Sequence, residues 1–293
     1  MKLYTHFRVD LDAVCSVWAA RQFIPGAYAA PVAFRPANWD GAELGEDDIA
    51  LDIDAGGRGM KGEKGEHGVV HSCFAMIVAK YASPADQLVL EDLVKFVDAQ
   101  DAHGSAVKFL APEASREAQK TLTSTGLNAV LRAFQVSYPR HADELVVVRM
   151  SEILFGMLQV GRARQRAVLE ADKTEVLDGG KVAIVENAQE FATNGILFEE
   201  RGVRVVVYVD GHNLGVIRHG DESLRMDHPE LRAVVDAAGE THEWFAHPAG
   251  FLFCRGSRKA PAVNPSAVSP RMLAEVAAKL LEEAAVPMDG GAS

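Results

Sequence analysis

Cysteine is scarce in this chain. The three present among 293 residues, Cys15, Cys73 and Cys254, are odd in number and stand in no Cys-x-x-Cys spacing. That excludes a disulfide framework and a zinc knuckle, and it fits a reducing compartment, so a cytoplasmic protein is expected. Long apolar runs are also missing: no stretch reaches the roughly 20 residues of a membrane span, and Met1 to His6 lacks the apolar core of a signal peptide. Neither export nor a membrane partner is expected. Basic residues are outnumbered, 30 against 41, for a net charge of −11 at pH 7. Such a chain repels polyphosphate at long range, which argues against duplex DNA as a partner. A small phosphorylated substrate or a short single strand remains open, because a bound divalent cation inverts the local potential. No Gly-x-Ser-x-Gly, Walker or Gly-x-Gly-x-x-Gly motif occurs in a strand-to-helix setting, since Gly56-Gly57-Arg58-Gly59 is not followed at once by a helix.

With 48% hydrophobic and 24% charged residues the composition is that of a folded globular protein, and the length suggests two domains. Short apolar runs alternate with helical stretches in the first half, the pattern of an α/β sheet. Strands are expected at Leu3 to Phe7, Pro31 to Arg35 and Ile49 to Asp54, and helices at Ala13 to Phe23, Ser72 to Tyr81 and Pro84 to about Val97. From about Asp143 to Asp172 the chain is continuously helix-compatible and reads as a connecting helix. Beyond Asp178-Gly179-Gly180 come β-branched runs at Lys181 to Val185 and Val203 to Val209, a turn at Gly211 to Asn213, a strand to Arg218, and a closing helix from Pro270 to Ala285. The expected fold is therefore α/β, with a parallel-sheet domain over 1–142, a connecting helix over 143–177 and a smaller α+β domain over 178–293.

The chemistry concentrates in Thr5-His6-Phe7-Arg8-Val9-Asp10-Leu11-Asp12-Ala13, a His-xxx-Asp-x-Asp pattern where a strand gives way to a helix. Ligands of open α/β sheets bind beyond the carboxyl ends of strands, which is where these side chains fall. One imidazole with two carboxylates suits Mn²⁺ or a similar divalent ion. The alternative is that Asp12 only caps the helix. Asp54 ends an apolar run before Gly56 and Gly57, His67 and His71 follow the glycine-rich loop, and Asp98, Asp101 and His103 close a helix. Acidic residues at a helix C-terminus are unfavourable without a cation nearby, which points Asp98 or Asp101 toward a metal. Downstream, Cys254-Arg255-Gly256-Ser257-Arg258-Lys259 follows an apolar strand, and its two guanidiniums and ammonium could clamp an anion, with His247 reaching the same cleft. A solvated basic loop is the alternative.

In this order the motifs resemble the DHH phosphoesterase superfamily, and within it the melanocyte-proliferating-gene type of metal-dependent hydrolase or exonuclease. The echoes are Thr5-His6 with Asp12-Ala13, Asp54-Ala55-Gly56-Gly57, Asp98 through Gly104, and Trp244 through Phe251. The resemblance implies one Mn²⁺ on His6, Asp10 and Asp54 and a second on Asp12, Asp54, His67 and Asp98 or Asp101, with Mg²⁺ or Co²⁺ as substitutes. It marks Asp12, Asp54 and His67 as catalytic and His247, Arg255, Ser257, Arg258 and Lys259 as substrate contacts. Where the family carries Asp-His-His this chain has Glu66-His67-Gly68, so His71 is the candidate replacement for the missing second histidine. The activity implied is hydrolysis of a nucleotide, short oligonucleotide or other small phosphorylated substrate in an interdomain cleft, by a monomer or homo-oligomer. The competing reading is a degenerate relative that binds a nucleotide or metal without turnover.

Overall fold

Leu3, Val32 and Ile49 begin three short runs that form a parallel sheet, β1 (Leu3–His6), β2 (Val32–Arg35) and β3 (Ile49–Ala50), in the order β2-β1-β3. The structure, a computed structural model, describes residues 1–64, 70–139, 142–188, 192–220, 224–257 and 259–285. It is a mixed α/β protein with ten α-helices among those residues, and residues 1–162 and 163–293 form two compact units.

In the first unit β1 feeds α1 (Leu11–Phe23), which is buried on every side from Leu11 to Ala20. A helix buried all round sits inside a core, and here Asp12 and Ser16 are the polar residues buried with it. Leu3, Val14, Trp18, Phe74, Leu90 and Leu131 pack together in that core. A small ribbon follows, β4 (Glu63–Lys64) with β5 (Val70–His71), then α2 (Cys73–Tyr81) and α3 (Pro84–His103). Ser72 and Ser83 cap the two helices through their hydroxyls, and Pro84 opens α3 at a position where its missing N–H costs nothing. Nothing at Val97 stops α3; it continues to His103, and Gly104, at φ +69°, supplies the left-handed terminus. Three further helices, α4 (Ala106–Leu110), α5 (Arg116–Thr125) and α6 (Leu127–Ser137), occupy a stretch for which periodicity gave no elements.

Of the stretch 143–177 expected to be helical, α7 covers Asp143–Ala171, and Glu175–Leu177 is a strand instead. The helix α7 is part of both cores: Val146, Met150, Leu154 and Leu158 pack in the first unit, while Ala167 and Ala171 pack in the second. The second unit has a six-stranded sheet of order β10-β11-β9-β8-β7-β6, made of β6 (Glu175–Leu177), β7 (Val182–Glu186), β8 (Val205–Asp210), β9 (Asn213–Arg218), β10 (Phe245–Ala246) and β11 (Leu252–Arg255). Among the described residues only β7 and β8 of this sheet run parallel. Alternation divides the strands between two layers. Val182, Ile184, Val205 and Val207 share a core with α9 (Pro229–Ala237) and α10 (Pro270–Ala285), and Ala183, Val185 and Val206 share another with α8 (Thr193–Glu200).

Candidate metal centre

His6 ends β1, and the chain then turns through Phe7 and Arg8 to Asp10, the N-cap of α1. Asp10 accepts the Ala13 N–H at 3.0 Å. Arg8 is held at φ +56°, a left-handed conformation that a long side chain adopts only when its surroundings impose it. Those surroundings are identifiable: the Arg8 N–H donates to Asp143 at 3.1 Å, and the Gln135 amide donates to the Val9 carbonyl at 2.7 Å.

The third member of the cluster is Asp52, where the sequence reading placed Asp54. His6 Nε2 lies 3.1 Å from Asp52 Oδ2 and 3.7 Å from Asp10 Oδ2, and the donor atoms of the three residues all fall within 4.8 Å of one another. β3 stops at Ala50, and after the Leu51 bridge to Met60 the backbone turns at Asp52, φ +54°. The turn is fixed by Asp52 N–H to Met60 O at 2.7 Å and Met60 N–H to Ala50 O at 2.8 Å. Asp54 lies inside it, with its carboxylate accepting the Gly57 N–H at 3.1 Å. Asp52 and Asp54 share one parity along an extended run, so alternation alone could not choose between them.

Both nitrogens of His6 face acceptors, Nε2 the Asp52 carboxylate and Nδ1 the Phe7 carbonyl at 2.9 Å. Two N–H donors mean an imidazolium. The Asp52 hydrogen bond accordingly raises the His6 pKa to about 9, against the opposing effect of burial. Loss of hydration and the charge of Asp52 push Asp10 upward. This donor set fits a divalent ion in kind: one imidazole and two carboxylates converge within 4.8 Å of one another, and the protonated histidine already fills a cation's place.

Asp12 is 3% exposed and is not one of the three converging donors. Its oxygens accept the Cys73 and Phe74 N–H groups, both at 2.9 Å, and the Ser16 hydroxyl at 3.1 Å. It thereby satisfies the N-terminus of a second helix, α2, a role distinct from capping its own. Burial pushes its carboxyl up to about 8, with Asp52 adding to the shift and the two backbone donors opposing it. Asp98 serves the same helix end, accepting the Ser72 N–H at 2.9 Å and hydroxyl at 2.5 Å, with His71 Nδ1 3.5 Å away. The positive end of α2 thus supplies the compensation that the end of α3 lacks. Asp101 instead lines a cleft of about 280 Å³ with Arg8, Asp10, Asp12, Gln100, Arg132 and Gln135. Loss of hydration and then the charges of Asp52, Asp10 and Asp98 raise its carboxyl.

Among the described residues no second group of three donors assembles: Asp12 is committed to α2, Asp54 to its own turn and Asp98 to Ser72. His67 lies outside the described residues, as does Arg258. The anion clamp expected at Arg255 is also corrected. That side chain is 6% exposed, with Nε donating to Glu243 at 2.8 Å, its terminal nitrogens bonded to Glu243 and the Asn264 carbonyl, and Glu240 at 3.6 Å. A guanidinium so paired, each of its three nitrogens bonded within its own unit, is held in that unit's core and its charge is met there. Ser257 accepts the Ala260 N–H in a tight turn, Lys259 is exposed, and His247 sits in the β10–β11 hairpin between the Phe245 and Phe251 rings, accepting the Ala249 N–H at 3.2 Å. Arg8, Arg132 and Asp52 were not singled out from the sequence. Arg8 lies inside the His-xxx-Asp-x-Asp motif itself, and Asp52 inside the apolar run.

No protein-family model matches the chain, and no curated protein matches it. Among solved structures it is similar to an uncharacterized protein from Helicobacter pylori G27, at 10% identity and TM-score 0.23, over 96% of this chain and 99% of that one. It is also similar to RecJ from Thermus thermophilus, solved in complex with Mg²⁺, at 12% identity and TM-score 0.25, over 98% of this chain and 50% of that one. The chain thus spans about half the length of that RecJ. Likenesses at these scores carry no argument about function, which rests on the geometry of the cluster and its cleft.

Proposed function

We propose that this protein is a divalent-metal-dependent phosphoesterase, of the kind its DHH-like motif order resembles, with Mn²⁺ the ion best suited to its donors. The observation that carries the reading is the convergence of His6, Asp10 and Asp52 beside a cleft that also presents Arg8 and Arg132. Among the described residues neither guanidinium is in an ion pair, so both are open to an anion. A divalent ion at the cluster supplies Lewis-acid polarisation of a phosphoryl oxygen and a water acidified toward neutral pKa. The residues do the rest. His6, Asp10 and Asp52 hold the ion, with Asp10 positioned by its capping bond and Asp52 by the turn that Met60 closes. Arg8 and Arg132 bind the non-reacting phosphate oxygens and orient the ester, a task that bidentate guanidiniums perform well. Asp12 keeps α2 in place behind the cluster.

The test is metal content of the purified protein alongside Mn²⁺-dependent hydrolysis of bis(p-nitrophenyl) phosphate. Bound metal with turnover, both lost in Asp52→Asn and in His6→Gln with the fold retained by circular dichroism, is the expected result. Metal without turnover on any phosphodiester would support the binding-protein reading, and failure to hold any divalent ion would overturn both.

A further inference from the structure

We infer that two copies of this chain associate through the outer face of α7, its helices packed antiparallel about a two-fold axis between residues 150 and 151. The inference is independent of the phosphoesterase reading. One face of α7, carrying Val147, Met150, Leu154 and Leu158, lies in the core of the first unit. An amphipathic helix turns charged and polar residues to the other side. Here Leu145, Val148, Phe155 and Val160 stand on that side instead, between 38% and 71% exposed. At about 100° per residue they fall with Arg149, Glu152 and Gly156 in one stripe roughly 140° wide. Apolar side chains scattered singly over a surface need no partner, but four on one helix face form a patch of the kind that marks an interface.

The charges on the stripe choose the occupant. Two copies of a chain of net charge −11 repel, so they can meet only where the surface is locally neutral. Residues 145–160 carry one Arg and one Glu and no other Asp, Glu, Lys or Arg. These two are Arg149 and Glu152, paired at 3.1 Å with both side chains exposed. A two-fold axis sets residue i beside residue j of the partner and j beside i. About the axis between 150 and 151, Arg149 meets the partner's Glu152 twice, so two exposed pairs merge into one alternating ring of four charges. The same operation lays Leu145 over the partner's Gly156 and Val148 beside the partner's Phe155. A Cβ on Gly156 would meet nothing within 4 Å, so the glycine is an open notch for the incoming leucine. A parallel pair would set each charge against its own copy, which like-charge repulsion disfavours. The stripe is thus its own complement in shape and charge, which selects a second copy over a foreign protein.

The experiment is sedimentation velocity of the full chain in EDTA over about 1–200 µM, the range in which a small interface associates. A monomer–dimer equilibrium is expected. Phe155→Lys should weaken it at least about tenfold, whereas Leu169→Lys, the same kind of change at a side chain of α7 that is 61% exposed but beyond the stripe, should leave it unaltered. Arg149→Glu and Glu152→Arg, made separately, each set like charges across the axis and should also weaken association at least about tenfold. Mixed in equal amounts, the two variants should form a heterodimer, because opposite charges again meet across the axis while the pair within each chain stays broken. A role of these residues confined to their own helix predicts no such rescue. A chain that is monomeric throughout, a dimer indifferent to Phe155→Lys, or a mixture no more associated than its components would each overturn the inference. Neither metal nor turnover enters the measurement, so its failure is distinct from failure of metal-dependent hydrolysis.

Discussion

His6 in the metal-free protein is an imidazolium held between the Phe7 carbonyl and the Asp52 carboxylate. Removing the carboxylate should release it: in Asp52→Asn the His6 pKa is expected to fall from about 9 toward the ordinary value near 6.5, followed by NMR titration of the ring protons. An unchanged titration would show that Asp52 is not its partner. A metal must displace the same proton, so metal affinity should rise with pH up to about 9. Asp12 sets a second expectation at this scale. Asp12→Ala strips two backbone N–H groups of α2 of their acceptor in a buried position and is expected to cost about 2–4 kcal/mol, measured by urea unfolding. A cost within 0.5 kcal/mol, roughly that of a neutral surface change, would mean that water or another acceptor takes over.

At the level of elements, the turn from Asp52 to Met60 decides which carboxylate joins the cluster. A Cβ on Gly59 would lie 1.9 Å from the Ile53 carbonyl oxygen, so the turn closes this tightly only with glycine there. Gly59→Ala should therefore displace the turn, cost on the order of 1–3 kcal/mol and weaken metal binding together with stability. Intact affinity by isothermal titration calorimetry would separate the turn from the site. The strands and helices with strong period were readable in advance: β7, β8, β9, α1, α2 and α10 lie within a few residues of where alternation and the 3.6-residue period put them. The end of β3 was not. It depends on hydrogen bonds from Leu51 to Tyr4 and between Met60 and Ala50, which join residues distant along the chain. Likewise α5 has no buried face from which a period could be recognised as core.

For the molecule as a whole, the titrating groups at the cluster act in one direction. Burial raises the folded pKa of Asp12 to about 8, so the fold favours its neutral form; that contribution is complete below about pH 4 and is lost as pH rises through 8. His6, raised to about 9, contributes fully below about 6.5 and loses its contribution as pH rises through 9. The metal-free protein is thus expected to lose stability between about pH 4 and 9 through these groups, and a saturating divalent ion should restore it most at the alkaline end. Melting temperatures in EDTA and in MnCl₂ across that range check this; a metal-free protein most stable at pH 9 would refute it. What the sequence determined by itself was local: element type, the His-xxx-Asp-x-Asp motif at a strand's carboxyl end and the α/β class, because period, caps and turn residues act over a few positions. The tertiary structure alone decided that Asp52 joins His6, that Asp12 and Asp98 are spent on α2, that Arg255 is neutralised inside its own unit, and that Arg132 reaches the cleft. A carboxylate or guanidinium is a ligand, a cap or half of an ion pair according to what distant segments bring against it, and spacing along the chain does not encode that neighbour.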